Sequence, residues 1–289
     1  MSLKASELIL NEDGSIYHLG LLPEEISSTV ITVGDPARVS RISQHFDNIE
    51  VTRTKREFCT HTGTLNGKRI TVMSTGMGTD NIDIALTELD ALANINLEKK
   101  ELNPDSKSLD IIRIGTTGSI RKEIPLDSYI VSELAMGFDG LMHYYNSEAF
   151  LENDFSEAFV EQTGWSSKKA LPYVVSGGKD LLTKMSSEKT IPGFTATNVG
   201  FYGPQGRVLR NSIPVPEMNN KIAAFSFRDK QITNLEMETS GIYGMAKLMG
   251  HNAVSMNAVL ANRATGEFSS DPKKLVDDLI TYCLEKITT

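Results

Sequence analysis

Cysteine is scarce: Cys59 and Cys283 are the only two in 289 residues, far apart and without metal-ligand spacing. That argues against a disulfide framework or a zinc site and fits a reducing compartment, so a cytoplasmic location is expected. No apolar run approaches the roughly 18 residues that a membrane helix needs. Met1 to Asp13 mixes charged and polar residues and lacks the apolar centre of a secretion signal. Positive charge is also short. The 29 Lys and Arg against 37 Asp and Glu leave a formal charge of -8, which speaks against general affinity for nucleic acid or an anionic membrane. An anionic ligand would have to be held by locally placed arginines. Internal repeats, low-complexity tracts and domain-dividing linkers are missing too, so residues 1–289 are expected to form one domain.

What is present alternates between strand and helix. Val30 to Gly34 is a β-branched run that ends in glycine, followed by the helical spacing of Val39, Ile42 and Phe46. Phe58 to Leu65 and Arg69 to Ser74 flank Asn66-Gly67, a two-residue hairpin signal. Ile82, Ala85, Leu86, Leu89 and Leu92 form an amphipathic stripe after Ser74-Thr75-Gly76-Met77-Gly78. Leu109 to Ile114 reads as a buried strand ending in a loop, Gly115-Thr116-Thr117-Gly118. Further strands are expected at Ser128 to Val131, Tyr173 to Val175, Thr195 to Val199, Asn234 to Met237 and Ala253 to Leu260. Helices are expected at Lys179 to Ser187, Glu238 to Leu248 and Pro272 to Ile287, the last with Asp271 as its cap. Lys99 to Ser108 reads as an exposed loop. The pattern predicts an α/β fold, a three-layer α/β/α sandwich around a mixed sheet, since the hairpin excludes an all-parallel one.

Strand C-terminal edges are where open α/β sheets bind ligands, and several loops there carry chemistry. Gly34-Asp35-Pro36-Ala37-Arg38 opens a helix, so free amides and the Arg38 guanidinium suit an anion; an ordinary strand-to-helix turn is the plain alternative. Arg113 stands inside an apolar strand, which is costly unless an anion or a carboxylate pairs with it. Gly115 to Gly118 offers hydroxyls and unhindered amides but lacks a P-loop lysine, so a nucleoside triphosphate is not expected. Glu236 and Glu238 place two carboxylates at a strand exit, where one can grip a ribose diol or merely favour a helix dipole. Phe201-Tyr202-Gly203-Pro204-Gln205-Gly206-Arg207 sets an amide and a guanidinium two residues apart beside an aromatic ring, matching the alternating carbonyls and N–H of a uracil edge; a solvated turn is the alternative.

In this order the segments resemble the nucleoside phosphorylase superfamily, and within it the uridine-cleaving branch. The resemblance runs from about His18 to Arg263 through His18-Leu19-Gly20-Leu21, Gly34-Asp35-Pro36 with Arg38, Arg56-Glu57-Phe58, Ser74 to Gly78, Arg113 to Gly118, Gln205-Gly206-Arg207, Glu236-Met237-Glu238 and Asn262-Arg263. It implies a pentosyltransferase of pyrimidine salvage that takes uridine and inorganic phosphate to uracil and ribose 1-phosphate, without an organic cofactor or a required metal. The implied phosphate site is Gly34, Arg38, Arg113 and Thr116, completed by Arg56 of a neighbouring subunit. The ribose would meet Thr116, Met237 and Glu238, with His18 of that neighbour. The base would meet Thr117, Gly118, Phe201, Gln205, Arg207, Glu236 and Arg263, with Arg113, Gln205 and Arg207 carrying the chemistry. The sites would be shared across a homodimer, alone or within a hexamer. A potassium ion at Glu57, Met77 and Asn81 is a further expectation, with Asn81 departing from the serine of bacterial relatives.

Purine-cleaving relatives usually carry an acid after the last core strand, whereas this chain reads Val259-Leu260-Ala261-Asn262-Arg263. Ser240-Gly241-Ile242-Tyr243-Gly244 looks more like the purine branch. A purine nucleoside phosphorylase, a nucleosidase using water, and a non-catalytic nucleoside-binding protein are the rival readings.

Overall fold

The computed structural model describes residues 3–289; Met1 and Ser2, which open the segment read above as lacking a secretion signal, lie outside the described residues. Eleven strands join in one mixed sheet. They are β1 (Thr29–Val33), β2 (Asn48–Lys55), β3 (Phe58–Leu65), β4 (Lys68–Ser74), β5 (Asp110–Ser119), β6 (Tyr129–Gly137), β7 (Tyr173–Ser176), β8 (Thr190–Thr197), β9 (Asn234–Glu236), β10 (Asn252–Asn262) and β11 (Glu267–Phe268). Across the sheet the order is β11-β10-β6-β8-β9-β5-β1-β4-β3-β2, with β7 on β6 and a further pairing of β10 with β5. That pairing closes β5, β10, β6, β8 and β9 into a ring. From it β1, β4, β3 and β2 extend as an open wing.

The helices are α1 (Pro36–Ser43), α2 (Thr79–Asn94), α3 (Asn153–Thr163), α4 (Lys179–Met185), α5 (Met218–Ala224), α6 (Thr239–Leu248) and α7 (Pro272–Thr288). Alternating residues of buried strands face opposite ways, and the core divides accordingly. Val30 and Ile111 pack with Ile82, Leu86 and Leu89 of α2 and Ile242 of α6. Ile31 and Ile112 pack on the other side with Ile42 of α1, Met185 of α4 and Leu279 and Cys283 of α7. Helices on both faces of a mixed sheet are what the alternation predicted; the closure of one end into a ring was not.

Inside the ring a belt of buried side chains takes one member from each strand. Asn234 donates to Thr117 at 2.8 Å, Thr195 donates to the Asn234 side-chain oxygen Oδ1 at 3.1 Å and Ser132 pairs with Thr195 at 2.6 Å. Asn257 then donates to Ser132 at 3.2 Å. Thr117 adds a hydrogen bond to the Leu235 carbonyl at 2.8 Å. Such groups are costly to bury unless every one is paired, and this belt pairs them across strands distant in sequence.

Several boundaries differ from expectation. Gly115 to Gly118 is no loop: β5 runs on to Ser119, where its residues pair with β10 and β9. β2, α3, α5 and β11 were not foreseen. The outward β2 is largely exposed and lacks an apolar face, and α3 mixes charged and aromatic residues without a clean stripe. The exposed stretch Lys99 to Ser108 holds a two-residue strand, Glu101–Leu102, paired with Ile95–Asn96. Among the described residues no helix is long and apolar enough to cross a membrane.

α7 starts as its sequence predicts, with the Asp271 carboxylate accepting the Lys274 N–H at 3.0 Å. Asp271→Ala is expected to lower stability by about 1 kcal/mol through loss of that cap. Asp278→Ala, which removes only an exposed pair with Lys274, should change the urea midpoint by less than half as much.

Candidate active site

The centre of the site is Arg113, which β5 carries into the protein with only 6% exposure. Its guanidinium donates to Glu238 at 2.6 Å and lies 3.2 Å from Glu236, while its other nitrogen donates to Asn257 at 2.6 Å, ending the polar belt. Of the two partners expected for a buried arginine, the carboxylate is present within the chain itself. Burial works against the Arg113 charge, but Glu236 and Glu238 outweigh it and hold the group more firmly protonated than usual. The side chain lies back over Gly115, where a Cβ would fall 1.9 Å from the guanidinium. The glycine after the apolar strand is there to admit Arg113, not to make a turn.

The two carboxylates sit at two helix N-termini, where the dipole favours negative charge. Glu236 accepts the backbone N–H of Glu238 and Thr239, both at 2.9 Å, and the Thr197 hydroxyl at 2.6 Å. One of its oxygens thus ties down the first amides of α6 while the other is held by Thr197 of β8. Glu238 accepts the Gly78 N–H at the head of α2 at 2.8 Å. Burial first, and then Glu236, raise the Glu238 carboxyl above its ordinary range against the pull of Arg113. α2 and α6 meet closely because Gly241 faces Thr79, where a Cβ would come to 2.9 Å. Gly244 similarly makes room for Met142. The two glycines of the Ser240 to Gly244 motif thus serve helix packing.

Arg38 is the second cation here. It donates to the Ile114 carbonyl at 3.1 Å, and its Nε is buried without a partner among the described residues. Burial, and next the charge of Arg113, push its pKa down to about 10. The α1 amides expected to greet an anion are partly taken, since Asp35 accepts the Ala37 N–H at 2.9 Å and Pro36 has none. Gly34 borders the Gly76 carbonyl across the parallel ends of β1 and β4. Thr116 is the half-exposed residue in a stretch, Ile111 to Ile120, that is otherwise buried. Thr117, expected at the base, instead turns its hydroxyl to the Leu235 carbonyl and the belt.

The third guanidinium does not join the other two. Arg56 lies exposed at the β2–β3 turn with φ of 54°, where a bulky side chain costs about 1 kcal/mol and Gly or Asn is the usual choice. Its described contact is the ring of Tyr17 at 5.8 Å. His18 packs edge-on against the same ring at 4.8 Å. Glu88 fixes this corner, accepting the His18 and Leu19 backbone N–H groups and lying 2.7 Å from the His18 ring nitrogen. So the two residues expected to serve a neighbour cluster together, on a surface of their own. Nearby, Glu57 and Asn81 flank Gly76, and Met77 is 73% exposed.

Phe201, Gln205, Arg207 and Arg263, expected at the base, lie together. Arg207 stacks over Phe201 at 3.7 Å and donates to its carbonyl at 2.6 Å and to Gln205 Oε1 at 2.5 Å. Arg263 donates to the Gln205 backbone carbonyl, as does Asn219 at 2.9 Å, and the Arg263 stem lies 3.6 Å from where a Gly118 side chain would begin. Burial, and then Arg263, weaken the hold of Arg207 on its proton. Asn262 faces inward, donating to the Arg121 and Ile124 carbonyls at 2.9 Å. Met237 is half-buried beside Glu238.

A sequence model of the phosphorylase superfamily matches residues 28–284. The chain belongs to that superfamily. A nucleoside phosphorylase from Trypanosoma brucei, described as showing uridine phosphorylase activity, superposes with a TM-score of 0.85 at 30% identity, covering 97% of this chain and 98% of that one. A uridine phosphorylase from Thermococcus kodakarensis is 28% identical over 91% of this chain and 83% of its own length. A DeoD-type purine nucleoside phosphorylase from Colwellia psychrerythraea is 27% identical over 93% and 98%. The superfamily is thereby shown, while both base classes occur among the relatives.

Glu88, Ser255 and Asn257 were missed. Polar residues at Ser255 and Asn257, two apart in an otherwise apolar strand, were the available signal; Glu88, seventy positions from His18, had none. An unmatched buried cation beside Arg113 should make the site selective for oxyanions. Phosphate at 100 times its Kd is expected to stabilise the protein by about 2.7 kcal/mol, seen as a raised Tm. Arg38→Met should abolish that rise without lowering the Tm of the ligand-free protein.

Proposed function

We propose that the chain is a uridine phosphorylase, converting uridine and inorganic phosphate to uracil and ribose 1-phosphate in the cytoplasm as a step of pyrimidine salvage. The observation that carries the base preference is the composition of the Gln205 corner. Arg207, Arg263 and the Gln205 amide gather there, and among the described residues no acid joins them. Negative charge that develops on a departing uracil spreads onto its carbonyl oxygens, and preorganised guanidinium donors stabilise it. A departing purine instead wants a proton at N7, and Asn262 neither supplies one nor faces the corner.

At the other end, phosphate is held by Arg38, Arg113, Gly34 and Thr116 as the nucleophile. Within the chain, two guanidiniums are balanced by two carboxylates. A phosphate dianion therefore calls for further positive charge, which Arg56 of the partner subunit supplies in a homodimer with shared sites, alone or within a hexamer. Glu238 grips the ribose diol beside Met237, and His18 of the partner subunit meets the 5′-hydroxyl. Glu238 thus bridges Arg113 and the sugar. The oxocarbenium-like sugar then lies between an anion it attracts and a base whose charge the arginines take up. A monovalent cation at Glu57, Met77 and Asn81 would steady the protomer contact.

Uridine, thymidine and inosine, each with and without phosphate, separate the readings by release of free base. Phosphate-dependent uracil release is expected. Inosine turnover at a similar rate would make the protein a purine enzyme, phosphate-independent release a nucleosidase, and binding without release a nucleoside-binding protein. Arg207→Ala is expected to lower kcat about a hundredfold or more, and a normal rate would remove Arg207 from this role. Mixing Arg56→Ala with a Glu238→Gln chain should restore part of the activity that each lacks alone. Its absence in mixed dimers would contradict the shared site.

A further inference from the structure

A cavity of ≈ 510 Å³ lies on the side of the base loop formed by Gly203, Pro204 and Gly206, with Asn219, and is lined by none of Phe201, Gln205, Arg207 and Arg263. Its volume is that of small-molecule sites, about 300–1,000 Å³. One wall is the pair Phe138 and Trp165, stacked with centroids 4.6 Å apart and planes at 27°. Ile213, Val215 and Met218 add apolar surface. Among these sits one carboxylate, Asp139. It accepts the Leu141 N–H at 2.8 Å, the Tyr173 hydroxyl at 2.9 Å and the Ser240 hydroxyl at 3.0 Å. Among the described residues no cation pairs with it. The Tyr173 hydroxyl also lies 3.0 Å from the second Asp139 oxygen; all three donors are neutral, so a cationic donor would supply the charge pairing that they do not. The nearest lysine on the wall, Lys169, lies over the Trp165 ring at 4.2 Å.

We propose that this cavity is a second ligand site, for a small planar aromatic compound with a cationic or N–H-rich end, such as an amidine or an amino-heterocycle. The ring packs against Phe138 and Trp165, and the N–H groups donate to Asp139. The base corner disfavours such a compound because Arg207 and Arg263 face it with like charge, with no acid beside them among the described residues. The two sites are therefore distinguished by the sign of the ligand.

Trp165 is the only tryptophan of the chain, so its fluorescence reports occupancy directly and independently of any turnover. Benzamidine titrated into the full chain is expected to give a saturable change, with the same Kd in the presence of uridine and phosphate. Benzoate, the same ring with opposite charge, should give none. Asp139→Asn should weaken benzamidine about tenfold, the worth of a hydrogen bond to a charged group. Val215→Phe, which fills the cavity, should abolish the response with far-UV circular dichroism unchanged, and it decides the matter if Asp139→Asn does not fold. A response that never saturates, an equal response to benzoate, or displacement of benzamidine by uridine would overturn the proposal.

Discussion

The structure depends on one buried cation. Arg113 is held on one side by Asn257, at the end of a belt that draws on five strands, and on the other by Glu236 and Glu238. Removing one partner from such a cluster leaves an uncompensated buried charge, at a cost of about 3–5 kcal/mol. The ring must therefore close, α2 and α6 must meet, and Gly115 must stay bare for the same group to be satisfied. A purely apolar core would tolerate errors that this one does not. The return is that Glu238, the residue proposed to grip the sugar, is fixed by an N–H at the head of α2 and by a guanidinium whose other contacts are rigid.

Two groups of site candidates stand apart within the chain. Arg38 and Arg113 stand close enough to perturb each other, yet Arg56 and His18 gather around Tyr17 at a corner braced by Glu88. A left-handed arginine at a tight turn is a local expense with no local benefit. It is understandable if the side chain serves a second copy, and likewise a histidine whose ring and backbone are pinned by one carboxylate is poised to present its other ring nitrogen outward.

Much of this was legible in the sequence. The β1–α1 unit, the Asn66-Gly67 hairpin, the α2 stripe and the Asp271 cap follow from period and turn chemistry, which are local. The order of motifs also grouped Phe201, Gln205, Arg207 and Arg263, which do lie together. What was not legible is non-local. Ring closure rests on the pairing of β5 with β10, about half the chain apart, and periodicity says nothing of partners. For the same reason Gly115 to Gly118 read as a loop although the residues complete a strand. The hydrogen bonds of Glu236 to the first amides of α6 and to Thr197, and those of Thr117 to the belt, have no local signal either. Two carboxylates separated by one residue look interchangeable until the helix start that distinguishes them is in place.

The central claim is that Arg38 and Arg113 face one small oxyanion beside a sugar-binding Glu238, with Arg56 of the partner subunit closing the site. Selenate, an anomalous scatterer with the shape and charge of sulfate, locates such an anion in a crystal without ambiguity. The account predicts one strong selenium peak per protomer within hydrogen-bond reach of Arg38, Arg113 and the partner subunit's Arg56. A peak elsewhere, with Arg38 and Arg113 still turned only to the Ile114 carbonyl and the carboxylates, would contradict it.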